Sequence, residues 1–264
     1  MVSAQAGGVQ DGNFLDGRLA GIYDALNPRS GDTDFYLRQV GHEPQKIVDV
    51  GCGTGLLALL LAGRGHRVTG IDPAAAMLDV ARRNDVDGRV EWIEGDGRAM
   101  RTDRTFDLAV MTGHVFQVFL EDDDIAAVLR EIRGHLRAGG RLMFETRNPS
   151  ARAWESWVPE ASRRAVTTDD GDEVVVEHHL HGVDGELVSF ATTHHFVGTG
   201  ETLRSEATLR FISPDALLEH LDAAGFDPVE VYGDWDESPL APQSPEVIIL
   251  ATASTGGPGI EPEA

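Results

Sequence analysis

Between residues 46 and 146, short runs of β-branched and aliphatic residues alternate with amphipathic stretches of helical period. This alternation is typical of βαβ units, in which helices join parallel strands and cover the faces of the sheet. The pattern predicts strands at residues 46–50, 67–71, 90–94, 106–111 and 141–146. It predicts helices at residues 56–64, 74–84 and 122–136.

The pattern changes after Pro149. Three strand-like runs follow, EVVVEHHLH, ELVSFATTHHFV and TLRSEATLRFI, with hairpin turns predicted at 182–185 and 198–200. Ser213-Pro214-Asp215 then begins a helix to about residue 224, and strands follow at 229–232 and 246–252. We therefore expect a Rossmann-like α/β fold, with seven strands flanked by helices and a small antiparallel β insert after the fifth strand.

The same pattern divides the chain. Residues 13–149 and 213–253 are predicted to form one ligand-binding domain, interrupted by an insert at 150–212 that forms a substrate lid or an interface. The length of 264 residues is sufficient for such a domain. Residues 1–12 and 254–264 lack periodicity, and we expect them to be disordered.

Charge and composition exclude several partners. The net charge is −22, and no basic face that would neutralise a phosphate backbone is visible, so we expect no nucleic-acid partner. No apolar run approaches the roughly 18 residues of a membrane span, and the first basic residue, Arg18, begins no signal-peptide pattern. Cys52, the single cysteine, permits no internal disulfide. These features favour a cytoplasmic protein.

A glycine-rich loop follows the first predicted strand directly, in the sequence VDVGCGTG at residues 48–55. Glycines at a strand-to-helix turn allow the backbone to approach a ligand closely. The spacing is G-x-G-x-G, whereas dinucleotide-binding loops have G-x-G-x-x-G, and Leu56 occupies the position of their third glycine.

Two acidic residues follow at the ends of the next strands. Asp72 lies about twenty residues beyond the loop, where a carboxylate can accept from both hydroxyls of a ribose. Asp96, in Gly95-Asp96-Gly97, is placed to accept from an adenine amino group. Each acid alone could equally cap a helix, but three such features at the carboxyl ends of consecutive strands favour a ligand site.

Together with FDLAVM and LRAGGRLMFET, these motifs resemble class I S-adenosylmethionine-dependent methyltransferases over about residues 46–148. The resemblance implies the strand order 3-2-1-4-5-7-6 with an antiparallel final strand. It implies that S-adenosylmethionine is the cofactor, with its ribose on Asp72 and its adenine near Met77, Asp96 and Gly97. It also implies that Thr112, Gly113 and His114 run beside the sulfonium. The methionine part would be held by Asp49, Gly51, Cys52, Gly53, Thr54 and Gly55.

A cationic sulfonium suits a site rich in carboxylates and carbonyls, which lacks the donors that a pyrophosphate requires. Ahead of the first strand, AGIYDAL at residues 20–26 resembles the lid helix of small-molecule members of this family. Tyr23 would close over the sulfonium by a cation–π contact, or it is a core residue of an amphipathic helix.

Fewer residues can be assigned to binding of the methyl acceptor than to binding of the cofactor. His114, directly after the fourth strand, is a candidate general base, and its alternative is a structural histidine at a strand end. Loop tryptophans near the same rim can line an acceptor pocket or serve an interface, so a homodimer stays open. The predicted acceptor-binding residues are Phe116, Arg147, Trp154, Trp157 and Trp235.

Other enzyme classes fit poorly. A short-chain dehydrogenase needs a Tyr-x-x-x-Lys pair, but the only lysine, Lys46, precedes the glycine loop, and no G-x-S-x-G hydrolase motif occurs. Asn148-Pro149 follows the fifth strand, whereas the similar motif of DNA amino methyltransferases follows the fourth.

The histidines and acids of the chain do not form a recognisable metal motif. No cysteine or clustered acid accompanies the insert's histidines, so no metal is predicted. We interpret the acidic run at 121–124 as a helix N-terminus, where negative charge is favoured. The predicted function is methyl transfer to a small-molecule acceptor, more on N or O than on C; the alternative is an inactive cofactor-binding or regulatory protein. The insert's histidines are His178, His179, His181, His194 and His195.

Overall fold

A computed structural model describes residues 16–168 and 171–254. Its main sheet has seven strands: β1 (Lys46–Val50), β2 (Arg67–Asp72), β3 (Val90–Glu94), β4 (Phe106–Met111), β5 (Leu136–Arg147), β10 (Phe226–Tyr232) and β11 (Glu246–Ala253). They lie in the order β3-β2-β1-β4-β5-β11-β10. β11 is antiparallel to both neighbours and the remaining pairs are parallel. The predicted topology is confirmed.

Helices cover both faces of this sheet. α2 and α3 pack on one face through residues such as Phe35 and Leu61, and α5 and α7 pack on the other through Leu129 and Leu221. The central strands are buried along almost their whole length, as expected for parallel strands covered on both sides. The helices are α1 (Gly17–Leu26), α2 (Gly31–Val40), α3 (Leu56–Gly63), α4 (Ala75–Asn84), α5 (Asp122–His135), α6 (Pro159–Ser162) and α7 (Pro214–Ala223).

The insert is an antiparallel sheet in the order β6-β7-β8-β9. The sequence predicted three strands; the prediction missed β6, which is four residues long and too short to show a period. The turn predicted at 182–185 is also displaced, because Gly182 lies within β7 opposite Ser189 and the chain reverses at Gly185 and Glu186. A register shift after Leu180 accounts for the difference. The strands are β6 (Arg164–Thr167), β7 (Glu173–Asp184), β8 (Leu187–Phe196) and β9 (Glu201–Arg210).

The insert packs on two parts of the main domain. Val174 and Val176 of β7 form an apolar cluster with Leu19, Ile22 and Leu26 of α1. β9 contacts the 3-10 helix Val115–Val118 that follows β4. Both contacts place the insert beside segments that carry predicted site residues.

The predictions of disordered chain ends and of no membrane span can be compared with the structure only in part. Residues 1–12 and all but the first residue of the tail 254–264, both predicted as disordered, lie outside the described residues. Ser254 is described, and its backbone oxygen accepts a hydrogen bond from Arg133 at 2.6 Å. Within residues 16–168 and 171–254, no helix is long and apolar enough to cross a membrane.

Candidate functional site

The glycine loop connects β1 to α3. Gly51, Gly53 and Gly55 have φ angles of 75°, 55° and 82°, a region that other residues rarely adopt. Packing imposes a second restriction: a Cβ on Gly51 would lie 2.6 Å from Val115, and one on Gly55 would lie 2.4 Å from the Trp92 ring. The loop therefore requires glycine both for its conformation and for its close contacts.

Asp72, the predicted ribose acceptor, ends β2 beside this loop. Its Oδ2 accepts a hydrogen bond from the backbone N–H of Gly53 at 2.8 Å, and Oδ1 accepts from that of Ala74 at 2.8 Å. Burial raises the pKa of the Asp72 carboxyl, while these two donors lower it. Each oxygen can accept a further hydrogen bond besides the one from the backbone, so the carboxylate fits the two hydroxyls of a ribose.

Asp49 lies beneath the loop and has only 1% of its surface exposed. Burial, together with the neighbouring Asp72 and Glu145, raises the pKa of this carboxyl to about 7. Its Oδ1 is buried and has no hydrogen-bond partner among the residues that the structure describes. A buried acceptor without a partner is costly, and a cationic amino group reaching through the loop would satisfy it. The residues present therefore fit an S-adenosylmethionine-like ligand.

The remaining predicted cofactor residues surround the loop. Met77 is buried, with its Cε 3.3 Å from the position of a Cβ on Gly53. The Thr54 hydroxyl donates to Asp24 of α1, which ties the N-terminal helix to the loop. Cys52 is buried, and burial raises the pKa of its thiol, so it is a packing residue of the loop. Gly97 also packs tightly, because a Cβ there would lie 2.6 Å from Val50.

Tyr23 projects from α1 towards the loop after β4. It packs partly against the apolar cluster of α4, and its hydroxyl oxygen lies 4.0 Å from the position of a Cβ on Gly113. The structure therefore brings Tyr23 to the same rim as Gly113 and the glycine loop.

Asp96 is placed at the end of β3 but is already paired. Arg98 donates to its Oδ2 at 2.6 Å and also bonds to Asp124 of α5 at 2.5 Å. The guanidinium lowers the pKa of Asp96 through this hydrogen bond. A ligand's amino group would share the carboxylate with Arg98, a contact that the sequence analysis did not predict.

The turn after β4 adopts an uncommon backbone conformation. Gly113 and His114 both lie in the left-handed region, with φ of 72° and 61°. The backbone N–H of His114 donates to Oε1 of Glu145 at 2.7 Å, and Tyr36 donates its hydroxyl to the other oxygen of the same carboxylate. Burial raises the pKa of Glu145. The contact with the buried Glu145 carboxyl thus stabilises a backbone conformation that residues other than glycine rarely adopt.

The His114 imidazole contacts a second acid. Its Nε2 lies 2.9 Å from Oε2 of Glu246, the first residue of β11. The side chains are 19% and 12% exposed, so the pair is shielded from most of the solvent. In a partly buried setting, such a contact fixes the orientation of the ring.

Arg147 and Trp157 form the insert side of this region. Arg147 donates to the Gln117 side chain at 2.7 Å, and its guanidinium lies 5.5 Å from the centre of the Trp157 ring. Trp157 also packs against Phe190 of β8 at 4.6 Å. The two predicted acceptor-side residues are therefore brought together.

Other predicted acceptor-side residues lie elsewhere. Phe116 is 1% exposed and stacks on Phe144 in the core. Trp154 is buried against Phe211 beneath the insert. Trp235 packs on the rings of α2, with its ring centre 6.1 Å from that of Tyr36. These three side chains therefore contribute packing contacts.

Several site residues were not predicted, namely Tyr36, Gln117, Glu145 and Glu246. An acid at the buried end of a strand, in the run LMFET, was a local signal for Glu145. No local signal existed for the others, because their neighbours are distant in the chain.

No group of three or more His, Cys, Asp or Glu side chains is placed to bind a metal among residues 16–168 and 171–254. His178 and His179 instead contact the hydroxyls of Thr192 and Thr193 across the β7–β8 ladder.

Comparison with known proteins agrees with this geometry. Residues 47–140 match the family model described as a methyltransferase domain. The chain is 27% identical over 230 residues to the cypemycin N-terminal methyltransferase of a Streptomyces species, covering 87% of this chain and 91% of that protein. It is 34% identical over 119 residues to a ubiquinone biosynthesis O-methyltransferase of Stutzerimonas stutzeri, covering 42% of this chain and 48% of that enzyme. The chain thus spans about half the length of the latter relative.

The fold also matches a solved structure. A S-adenosylmethionine-dependent methyltransferase from Clostridium acetobutylicum superposes with a TM-score of 0.73 at 17% identity, covering 90% of this chain and 98% of that one. With the glycine loop and the acids of β1 and β2, these matches show that the chain has the fold of the class I S-adenosylmethionine-dependent methyltransferases and is similar to them in sequence over residues 47–140.

Proposed function

We propose that the protein transfers a methyl group to an amine or hydroxyl of a small molecule, with His114 as the general base. The observation that carries this proposal is the pair of His114 and Glu246, in the turn whose next residue, Val115, packs against Gly51 of the cofactor loop. A candidate base thus lies directly beside the loop expected to hold the methyl donor.

S-adenosylmethionine supplies an electrophilic methyl group on a sulfonium when it is bound. Methyl transfer to a nucleophile is an in-line displacement, so the protein contributes mainly by positioning the reactants and excluding water. Asp72 and Asp49 would hold the ribose and the amino group, and Tyr23 would cover the sulfonium from α1. The apolar contact between α1 and β7 keeps that lid helix under the insert.

The proton of the acceptor must leave as the new bond forms. If Glu246 accepts a hydrogen bond from Nε2–H, His114 is held in the tautomer whose Nδ1 carries the free lone pair. Nδ1 would then remove the proton from the attacking nitrogen or oxygen. Glu246 would stabilise the imidazolium that results, as in other base–orienter pairs.

The names of the relatives support both kinds of nucleophile, since one is an N-terminal methyltransferase and another is an O-methyltransferase. The alternative of an inactive binding protein has no support in the site, where the glycine loop, both strand-end acids and the His114–Glu246 contact are all present. A cytoplasmic location, a homodimer and the lack of a nucleic-acid partner stay predictions from the sequence.

The test is formation of S-adenosylhomocysteine from S-adenosylmethionine across a panel of small amines and alcohols, with mass detection of methylated product. We expect turnover with wild type and loss with Asp72→Ala. Failure of every acceptor in a protein that binds S-adenosylhomocysteine would contradict the proposal.

A further inference from the structure

Arg147 and Glu246 face each other directly across the β5–β11 ladder. Side chains opposite each other on antiparallel strands have Cβ atoms about 4.5–5.5 Å apart, so an arginine and a glutamate there normally pair. These two do not: Glu246 turns to His114, and Arg147 turns to Gln117. At the rim of the site, two oppositely charged side chains at neighbouring positions thus each contact a different partner.

The Arg147 guanidinium has little compensation from the protein. Within the described part of the chain, its side-chain hydrogen bond is to the neutral amide of Gln117, and its face lies over the neutral Trp157 ring. Burial lowers the pKa of Arg147, and the nearby ionisable groups of Glu246, Glu145 and Tyr23 partly oppose that change. Among the described residues, no carboxylate forms an ion pair with the guanidinium. A guanidinium has five N–H donors, so most of them stay available.

The surroundings hold this side chain in place. Gln117 is fully buried and donates its own amide N–H to the backbone oxygen of Arg210 at 3.0 Å. Its side-chain oxygen is therefore fixed towards Arg147, and Trp157 supports the guanidinium from the insert. A cation that is oriented but left unpaired is suited to bind an anion from outside the chain.

We propose that Arg147 binds an oxyanion of the methyl acceptor, a carboxylate or a phosphate, while the nucleophile of the same molecule faces His114 and Glu246. This rests on the proposed function. A guanidinium donates two parallel hydrogen bonds to either oxyanion, which fixes the acceptor's orientation as well as its affinity. The acceptors are therefore small molecules that carry a negative group in addition to the amine or hydroxyl, and neutral analogues are poor substrates.

A binding experiment tests this without the natural acceptor. Acetate, phosphate and, as control, chloride are titrated at constant ionic strength into the protein saturated with S-adenosylhomocysteine, and tryptophan emission is followed. We expect a saturable change with acetate or phosphate, since Trp157 lies on the guanidinium, and no such change with chloride or in Trp157→Phe. The anion that saturates at the lower concentration shows whether the acceptor's negative group is a carboxylate or a phosphate.

Variants of the arginine complete the test. Arg147→Gln should weaken the oxyanion response about tenfold or more, and Arg147→Lys should weaken it less. Arg163→Gln, which alters an exposed arginine on the insert, is the matched control and should have no effect. Thermal melting confirms that each variant is folded, and if Arg147→Gln is not, Arg147→Lys alone decides.

The outcomes separate this inference from the proposed function. No oxyanion response in wild type, or an undiminished response in a folded Arg147 variant, overturns the role of Arg147. A loss of S-adenosylhomocysteine affinity in Arg147→Lys with no oxyanion response would assign the arginine to the cofactor instead. Absence of turnover with an intact oxyanion response would contradict only the proposed function. With turnover, Arg147→Gln should lose acceptors bearing a carboxylate or phosphate and leave their esters or amides unaffected.

Discussion

Oε2 of Glu246 lies 2.9 Å from Nε2 of His114, although the two residues are 132 positions apart in the chain. The contact joins the first residue of β11 to the turn after β4. It gives the imidazole both an orientation and a nearby negative charge.

Replacing Glu246 tests this contact. Glu246→Gln keeps the size of the side chain but removes the charge that stabilises an imidazolium, so kcat should fall about 10–100-fold. KM and S-adenosylhomocysteine affinity should stay the same, because the residue positions a base and does not hold the cofactor. Glu230→Gln on the exposed side of β10 is the control. Equal losses in kcat and cofactor affinity would indicate a structural role.

His114→Asn tests the base itself. Asparagine tolerates the left-handed conformation at this position, so the turn should persist. Loss of a general base should reduce kcat by about 10²–10⁴-fold. Steady-state kinetics and a melting curve measure the two effects. A folded variant with full activity would show that desolvation and positioning suffice for the reaction.

Asp72→Ala should weaken cofactor binding and also loosen the glycine loop. The ribose hydroxyls lose an acceptor worth about 1.5–3 kcal/mol, and the N–H groups of Gly53 and Ala74 lose theirs. Calorimetry with S-adenosylhomocysteine measures the affinity, and Asp79→Ala on the exposed face of α4 is the control. Unchanged affinity in a folded variant would disprove the ribose assignment.

Asp49 predicts how stability depends on pH. Its pKa rises from 3.8 to about 7 on folding, so between these values the folded chain binds the extra proton. The ligand-free protein should therefore lose stability as pH rises from about 4 to about 7 and level off above, and the loss between pH 5 and 7 should be about 2–3 kcal/mol at most. Denaturant unfolding of wild type and Asp49→Asn measures it, and an equal pH slope in both would contradict the assignment.

The affinity for the cofactor should depend on pH in the opposite direction from stability: it should rise as Asp49 loses its proton. A cationic amino group favours the ionised carboxylate, so binding near neutral pH should release a proton, and affinity should fall as pH drops below about 7. Calorimetry in buffers of different ionisation enthalpy detects that proton, and Asp49→Asn should not release it.

Sequence periodicity predicted β1 to β4 to within one residue because most of these strands are buried on both sides and end in short turns. It missed the start of β5 by five residues, because the partly exposed run RAGG interrupts the apolar pattern there. The candidate cofactor residues could be placed at one rim, since Gly51 follows β1 directly and Asp72 ends β2.

The acceptor half of the site could not be placed in this way. Tyr36 reaches Glu145 across 109 positions, and Gln117 reaches the backbone of Arg210 across 93. Such pairs depend on register and packing, which leave no local pattern.

β11 lies between β5 and β10 in the sheet, and in the described part of the chain it is the last strand to be synthesised. During synthesis on the ribosome, residues up to β5 can associate locally, but β10 has no partner in the sheet until β11 has emerged and inserted. The imidazole likewise has no glutamate beside it until that moment. If His114 and Glu246 act as proposed, the nascent chain therefore completes the glycine loop for the methyl donor before it completes the base, because the loop precedes β11 by almost 200 residues.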